Sequence, residues 1–198
     1  ALKQDVSVIN ELLDAGDFFI CASERQRDYW LGMLSARGAL DSATYANDPT
    51  LRRLIDVVPF GLPSHRPRHQ HNVLKGVHPN IAKDDLVVLW GGGVWDWFDP
   101  LAVIEAFAIV VERIPNAKLY FLGLELSSPD VPPMKMAEAV ILRAKQLGLY
   151  DTSIIFGDWA PYEQREAFLL ESDIAFSAAT DLAEPALAFR SRIPDHLW

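Results

Sequence analysis

Four apolar stretches of the chain each run into a glycine, and amphipathic patterns separate the last three of them. The stretches IDVVPFG, LVVLWG, AKLYFLG and SIIFG end at Gly61, Gly91, Gly123 and Gly157. Gly91 and Gly123 are 32 residues apart, and Gly123 and Gly157 are 34 residues apart. That spacing is typical of a strand, a crossover helix and the next parallel strand. The pattern therefore predicts repeated βαβ units.

The segments between these glycines have the spacing of amphipathic helices. In the stretch DPLAVIEAFAIVVERIPN, the apolar residues Ile104, Phe107 and Val111 recur at helical intervals. Asp99 is placed to cap this helix, and Pro100 suits its first turn. Similar patterns follow after the next two strands, and a last short helix ends the chain. We therefore expect an α/β fold, with an open parallel Rossmann-like sheet and helices on both faces.

The pattern also divides the chain. Residues 1–61 predict two helices around a strand, FFICAS, and then a smaller helical excursion. Because so few strands cannot form a core of their own, we interpret this part as the trailing end of another domain. Residues 62–85 are rich in Pro, His and Arg without sustained periodicity, so they are expected to form a linker. Residues 86–198 form the second predicted domain.

Composition narrows the classes of function. With 198 residues, half of them apolar, the chain is long enough to bury a core. Its net charge of −9 argues against nucleic acid as a partner, because phosphate-binding surfaces are normally basic. The single cysteine, Cys21, excludes an internal disulfide and favours a reducing, cytoplasmic location. The apolar stretch LAVIEAFAIVV is too short and interrupted by Glu105, so no membrane span is expected.

Three consecutive glycines, Gly91, Gly92 and Gly93, follow the central predicted strand. Ligands of open α/β sheets bind at the carboxyl ends of the strands, and glycines allow backbone amides to approach an anion closely. Trp95, just beyond the loop, is placed to form a pocket wall. The pattern is neither GxGxxG nor a Walker loop. The alternative is a tight turn that requires positive φ, with tryptophans that only cover the end of the sheet.

Three histidines in SHRPRHQH, His65, His69 and His71, raise the question of a metal site. No carboxylate or cysteine is interleaved with them, and the surrounding segment is bounded by prolines. We therefore expect a solvated loop and no metal site.

Taken together, six stretches resemble the family 4 glycosyltransferases of the GT-B fold. In order they are FFICASERQRDYWLG, IDVVPFGLP, VVLWGGGVWDWFDPLAVIEAFA, KLYFLG, IIFGDWAPYEQREAFLLESDIAFSA and FRSRIPDHLW. In that family an amino-terminal domain holds the acceptor, and a carboxy-terminal domain holds the nucleotide-sugar donor. The resemblance implies a partial GT-B fold. Residues 1–61 would be the end of the acceptor domain, and residues 86–198 a truncated donor domain.

The resemblance also assigns roles to residues. Gly91 to Gly93 would face the donor phosphates, and the turn with Asp158 and Trp159 would contact the nucleotide base. The family carries two glutamates eight positions apart, the first near the donor sugar and the second on the ribose hydroxyls. Glu184 and Asp195 are the closest acidic pair here, eleven positions apart, which departs from that pattern. Glu184 is therefore the candidate catalytic residue, in contact with a sugar hydroxyl; the alternative is an acid that only stabilises a turn.

A second departure concerns the basic groups. Family members often have an arginine and a lysine after the glycine turn, both directed at the diphosphate, and this chain has neither there. Arg190 and Arg192 could supply the missing charge, because a guanidinium matches phosphate oxygens. The alternative is that both are surface arginines bonded to Glu184 or Asp181.

The implied activity is transfer of a sugar from a nucleotide-diphosphate sugar to an unknown acceptor, with retention of configuration. The acceptor would be a glycan, a lipid or a small molecule, and no cofactor or metal is expected beyond the donor substrate. Peripheral membrane association through the absent domain is compatible with this scheme. The full-length parent protein would be the enzyme, and the fragment alone would be inactive. Two alternatives stay open: a non-catalytic Rossmann-like interaction module, and a dinucleotide-binding oxidoreductase domain.

Overall fold

A computed structural model describes residues 2–124, 134–179 and 183–198, and the chain divides into two compact units. The first unit comprises Ala1–Gly61 and Leu182–Phe189, and the second comprises Leu62–Asp181 and Arg190–Trp198. The chain first passes from one unit to the other after Gly61, where the sequence analysis placed the end of the first domain. The return of residues 182–189 to the first unit has no counterpart in the sequence pattern, which placed them in the second domain.

Eight helices and six strands are described, together with one turn of 3-10 helix at Tyr162–Gln164. The helices are α1 (Leu2–Ala15), α2 (Glu24–Ala36), α3 (Ser42–Asn47), α4 (Pro100–Arg113), α5 (Lys135–Gln146), α6 (Arg165–Glu171), α7 (Ala183–Leu187) and α8 (Arg192–Leu197). The strands are β1 (Phe19–Cys21), β2 (Ile55–Val57), β3 (Leu86–Trp90), β4 (Ala117–Leu122), β5 (Ile154–Gly157) and β6 (Ile174–Phe176). None of the helices in these described ranges has the length and apolar character needed to cross a membrane.

The first unit is a small assembly around two parallel strands, β1 and β2. Its buried cluster consists of Leu13, Cys21, Leu34 and Ile55. Ser23 caps α2, because its hydroxyl accepts a hydrogen bond from the amide of Gln26 at 3.2 Å. The sequence pattern predicted no separate core for this part of the chain, whereas the structure shows a small one, because α1 and α2 each pack a buried leucine against the two strands.

The second unit contains a four-stranded sheet in the order β5-β4-β3-β6, and all three pairings are parallel. The predicted α/β fold with an open parallel Rossmann-like sheet is therefore confirmed. Asp99 caps α4 through a 3.0 Å hydrogen bond from the amide of Ala102, and Pro100 occupies the first turn, as predicted. Because β3 lies between β4 and β6, the loop after it lies near the middle of the sheet edge.

Alternating side chains of these strands serve two different cores, as expected for a sheet that is covered on both faces. On one face, Trp90, Leu119 and Phe121 pack with Ile104 and Phe107 of α4. The opposite core contains Val87, Leu89, Tyr120 and Ile155 with Phe168 of α6, and also Leu74 and Ile81. Helices thus lie on both faces.

The segment 62–85 differs from the linker that its composition suggested, because it is bound to the second unit. Leu74 and Ile81 are fully or almost fully buried. The carboxylate of Glu171, at the end of α6, accepts hydrogen bonds from the amides of Val73, Leu74 and Lys75 at 2.9, 2.7 and 2.7 Å. The ring of His69 lies 2.7 Å from the same carboxylate. Nearly one hundred residues separate Glu171 from these amides, so local pattern carried no signal of the contact.

Two isoleucines of α4 offer a matched test of the packing. Ile104 is fully buried, whereas Ile109 is 55% exposed. We expect Ile104→Ala to lower the free energy of unfolding by about 2–5 kcal/mol, because it removes buried methyl groups and leaves a cavity. Ile109→Ala should change it by no more than about 0.5 kcal/mol, since its surface site leaves no cavity. Urea denaturation of both variants measures the difference, and equal losses would contradict the assigned core.

The Glu171 hydrogen bonds predict a dependence of stability on pH. Burial alone would raise the pKa of this carboxyl, but hydrogen bonds from His69 and the three amides outweigh it and hold the pKa below the usual 4.5. A lowered folded-state pKa means that the stabilisation is complete above the unfolded value and is lost as pH falls through the folded value.

We therefore expect Glu171→Gln to lower the free energy of unfolding by about 1–3 kcal/mol at pH 7. The difference from wild type should shrink as the pH falls through the lowered pKa of the carboxyl, where the carboxyl becomes protonated. The exposed Glu163→Gln is the matched control and should stay close to wild type. A loss for Glu171→Gln that is constant from pH 7 to pH 3 would disprove the ionised carboxylate as its source.

Candidate functional site

The glycine turn, Gly91 to Gly93, directly follows β3 at the carboxyl edge of the sheet. Gly92 has φ of +143°, which side chains rarely adopt, and its amide bonds to the carbonyl of Trp90 at 3.0 Å. The turn also needs space. A Cβ atom on Gly91 would lie 2.6 Å from Nε2 of His196, and one on Gly92 would lie 3.3 Å from Nη2 of Arg192. Gly92 therefore has the positive φ that the tight-turn alternative requires, and the groups that approach Gly91 and Gly92 closely are side chains of α8.

Helix α8 supplies both side chains that approach the turn. Arg192 and His196 are four positions apart, so they lie on the same face of this short helix. The guanidinium of Arg192 approaches Gly92, and the imidazole of His196 approaches Gly91. We refer to Gly91, Gly92, Arg192 and His196 together as the anion seat.

Arg192 has an environment that is unusual for a cation. Its Nη1 atom is buried without a hydrogen-bond partner among the residues that the structure describes. The guanidinium carbon lies 4.5 Å from the ring centre of Phe98 and 5.5 Å from that of Trp90. Burial, and then the nearby Arg190, lower the pKa of Arg192 to about 10, so the group stays charged at neutral pH.

A buried charge without a counter-charge is unfavourable, and buried polar groups in proteins are normally satisfied. The described residues provide no carboxylate for Arg192. An oxygen-rich anion at the glycine turn would meet the Nη2 side of the guanidinium, which faces Gly92, and would compensate the charge through a charge-assisted hydrogen bond. The chemistry of this group therefore favours anion binding.

A cavity of about 180 Å³ adjoins the turn. Its lining residues come from the ends of β3 and β4, the segment 159–169 and α8: Gly91, Gly92, Leu122, Trp159, Ala160, Tyr162, Arg165, Leu169, Asp195 and His196. The indole of Trp159 packs directly against Gly123, whose φ is +84°. A second glycine at a strand end thus allows an aromatic side chain to form the cavity wall.

Arg165 and Asp195 form an ion pair across this cavity, with Nη1 and Oδ1 3.4 Å apart. Arg165 also lies over the rings of Tyr162 and Trp198, at 4.8 and 5.4 Å from their centres. Asp195, which the resemblance places on ribose hydroxyls, therefore has a protein partner. It compensates Arg165, not Arg192.

Of the residues predicted for the site, Gly91, Gly92, Trp159 and Asp195 meet at the cavity, and Arg192 lies beside it. Arg190 is close as well, because its guanidinium carbon is 4.7 Å from the centre of the same Phe98 ring. The sequence placed these groups together only through the family resemblance.

Four other predicted residues are not part of the cavity lining in the described structure. Gly93 lies against the indole of Trp95, which packs on the core and stacks on Trp97 with ring centres 5.2 Å apart. Asp158 is exposed after β5. Glu184 belongs to α7 of the first unit, and its side chain lies outside the described residues.

Sequence reasoning did not find His196, Tyr162 or Arg165. The spacing of Arg192 and His196 was a usable signal, since positions i and i+4 of a helix share a face. Arg165 and Asp195 are thirty positions apart on different helices, so their pairing required the tertiary structure.

The histidine-rich segment is held by carboxylates from α6. His65 lies 3.0 Å from Glu166, and His69 lies 2.7 Å from Glu171. Within the described ranges, no three side chains of the metal-binding types come together. The two histidines therefore contribute to the attachment of the segment to α6.

Comparison with protein-family models finds no family that matches this chain, and comparison with curated proteins finds no matching relative. The likeness to family 4 glycosyltransferases therefore stays a prediction from the sequence stretches that suggest it.

Proposed function

We propose that the second unit binds a nucleotide-diphosphate sugar and is the donor part of a retaining glycosyltransferase. The observation that carries this proposal is the guanidinium of Arg192, whose Nη2 faces Gly92 and whose buried Nη1 has no hydrogen-bond partner among the described residues. A diphosphate suits this position, because ligands of Rossmann-like sheets bind at the carboxyl ends of the strands.

The anion seat suits the departing diphosphate of sugar transfer. The side chains of His196 and Arg192 occupy the space beside Gly91 and Gly92, so phosphate oxygens at the turn would meet these two side chains, and Arg192 supplies the charge. Catalysis in this scheme comes from placement of the anomeric carbon and from stabilisation of the leaving group, without a protein nucleophile. Arg190, whose guanidinium also lies over the ring of Phe98, would add a second cation.

The adjoining cavity suits part of a nucleotide. Its volume of about 180 Å³ is below the range of about 300–1,000 Å³ that encloses a drug-sized ligand. It therefore fits a base or a ribose, with the phosphates outside it at the glycine turn. Trp159 and Tyr162 offer aromatic surface for stacking. The carboxylate of Asp195 would accept hydrogen bonds from ribose hydroxyls while it remains paired with Arg165.

The remaining roles rest on the resemblance alone. The backbone near Asp158 would contact the base, and the catalytic role of Glu184, which belongs to the first unit, stays a prediction from the resemblance. The acceptor, a glycan, a lipid or a small molecule, would be held by the acceptor domain of the parent protein. No cofactor beyond the donor enters this scheme.

Arg192 provides the decisive substitution. We expect wild type to bind UDP or GDP, and Arg192→Gln to weaken that binding by about 10- to 100-fold, because a hydrogen bond to a charged group is worth about 1.5–3 kcal/mol. Arg113→Gln, on the exposed end of α4, is the matched control and should bind as wild type does. Quenching of the fluorescence of the six tryptophans measures the affinities.

NADH serves as the competing probe in the same titration. Saturable NADH binding with no response to UDP or GDP would replace the transferase proposal with a dinucleotide-binding domain. If none of the three nucleotides binds, the fold serves another purpose, such as protein contact.

A further inference from the structure

His196 is the second nitrogen-bearing side chain of the anion seat that has no hydrogen-bond partner among the described residues. Its ring lines the cavity and occupies the space beside Gly91. Because it shares one face of α8 with Arg192, both side chains are directed at the same turn of backbone. An anion that reaches Arg192 would therefore meet His196 as well.

We infer that His196 is a second anion-binding residue and that its imidazole takes up a proton when a diphosphate binds. The inference rests on the proposed function and adds to it a coupling between donor binding and protons. The proton comes from solvent and is bound at a ring nitrogen. It is released again when the diphosphate leaves.

The charges around His196 favour a neutral ring before an anion binds. Burial, and then Arg192, lower the pKa of His196, and Asp195 opposes this effect weakly. Across the cavity, Arg165 of α6 faces the same space and is paired with Asp195. Trp159, Tyr162 and the glycine turn add no charge at neutral pH. Among the described residues that face the ring, Arg192 carries a charge that has no ion-pair partner.

A bound diphosphate reverses this balance. It places at least two negative charges beside the ring and offsets the repulsion from Arg192, so it favours the protonated imidazole. A group that is neutral before binding and charged after it takes up protons on binding. Affinity for the diphosphate should consequently increase as the pH falls from 8 to 6.

Calorimetric titration of the full chain with UDP, GDP and inorganic pyrophosphate tests the coupling. Titrations in two buffers with different ionisation enthalpies give the number of protons taken up on binding. We expect His196→Asn to weaken binding about 10-fold at pH 6, with a smaller effect at pH 8, and to take up fewer protons than wild type. The exposed His71→Asn is the matched control, and it corrects for protons bound by the probes themselves.

Nuclear magnetic resonance of the wild-type imidazoles provides a measurement that does not depend on how the variant folds. The His196 signal, assigned by a conservative His196→Gln variant or by sequential experiments, should titrate at higher pH once pyrophosphate is present. An unchanged titration of His196 at saturating pyrophosphate would overturn the inference.

The outcomes separate the inference from the proposed function. If UDP or GDP binds, Arg192→Gln weakens it and His196→Asn matches wild type in affinity and proton uptake, the inference fails and the donor site stands. If none of the three probes binds to wild type, both fail.

Discussion

The candidate site depends on the close contact between α8 and the glycine turn after β3. Side-chain atoms of His196 and Arg192 occupy the space that Cβ atoms of Gly91 and Gly92 would need. Any larger residue at Gly91 would displace the imidazole, and Gly92 would also be strained by its positive φ. The contact sets the positions of both nitrogen-bearing side chains relative to the backbone, so a turn that tolerates only small residues becomes a potential binding surface.

Aromatic packing provides the other half of the site. Trp90 and Phe98 are almost fully buried, and they hold the guanidinium of Arg192 in surroundings that offer contact with π-systems but no hydrogen-bond acceptor for Nη1 in the described structure. Such contacts compensate part of the desolvation of a cation. They leave the Nη1 donor without an acceptor among the described residues. The packing at the end of the sheet therefore favours recognition of an anion. The overall negative charge of the chain does not oppose it, since the relevant field is local.

The second unit shows how one carboxylate can organise a long segment without regular structure. The carboxylate of Glu171 accepts hydrogen bonds from three consecutive backbone amides, Val73 to Lys75. These bonds hold to α6 a segment that composition alone assigned to a linker. The same helix, α6, begins with Arg165, which lines the cavity and pairs with Asp195. Helix α6 therefore connects the attachment of segment 62–85 at one end with the cavity wall at the other.

The local sequence pattern determined the order of the strands and of the helices other than α7, the cap at Asp99 and the turn at Gly91 to Gly93, because these depend on neighbours within a few residues. The parallel sheet followed from the spacing of the glycines. The tertiary structure alone decided that Trp95 packs on the core away from the cavity, that Asp195 pairs with Arg165, and that His196 joins Arg192 beside the turn. Each of these contacts joins residues from different elements, and long-range packing leaves no periodic trace in a single sequence.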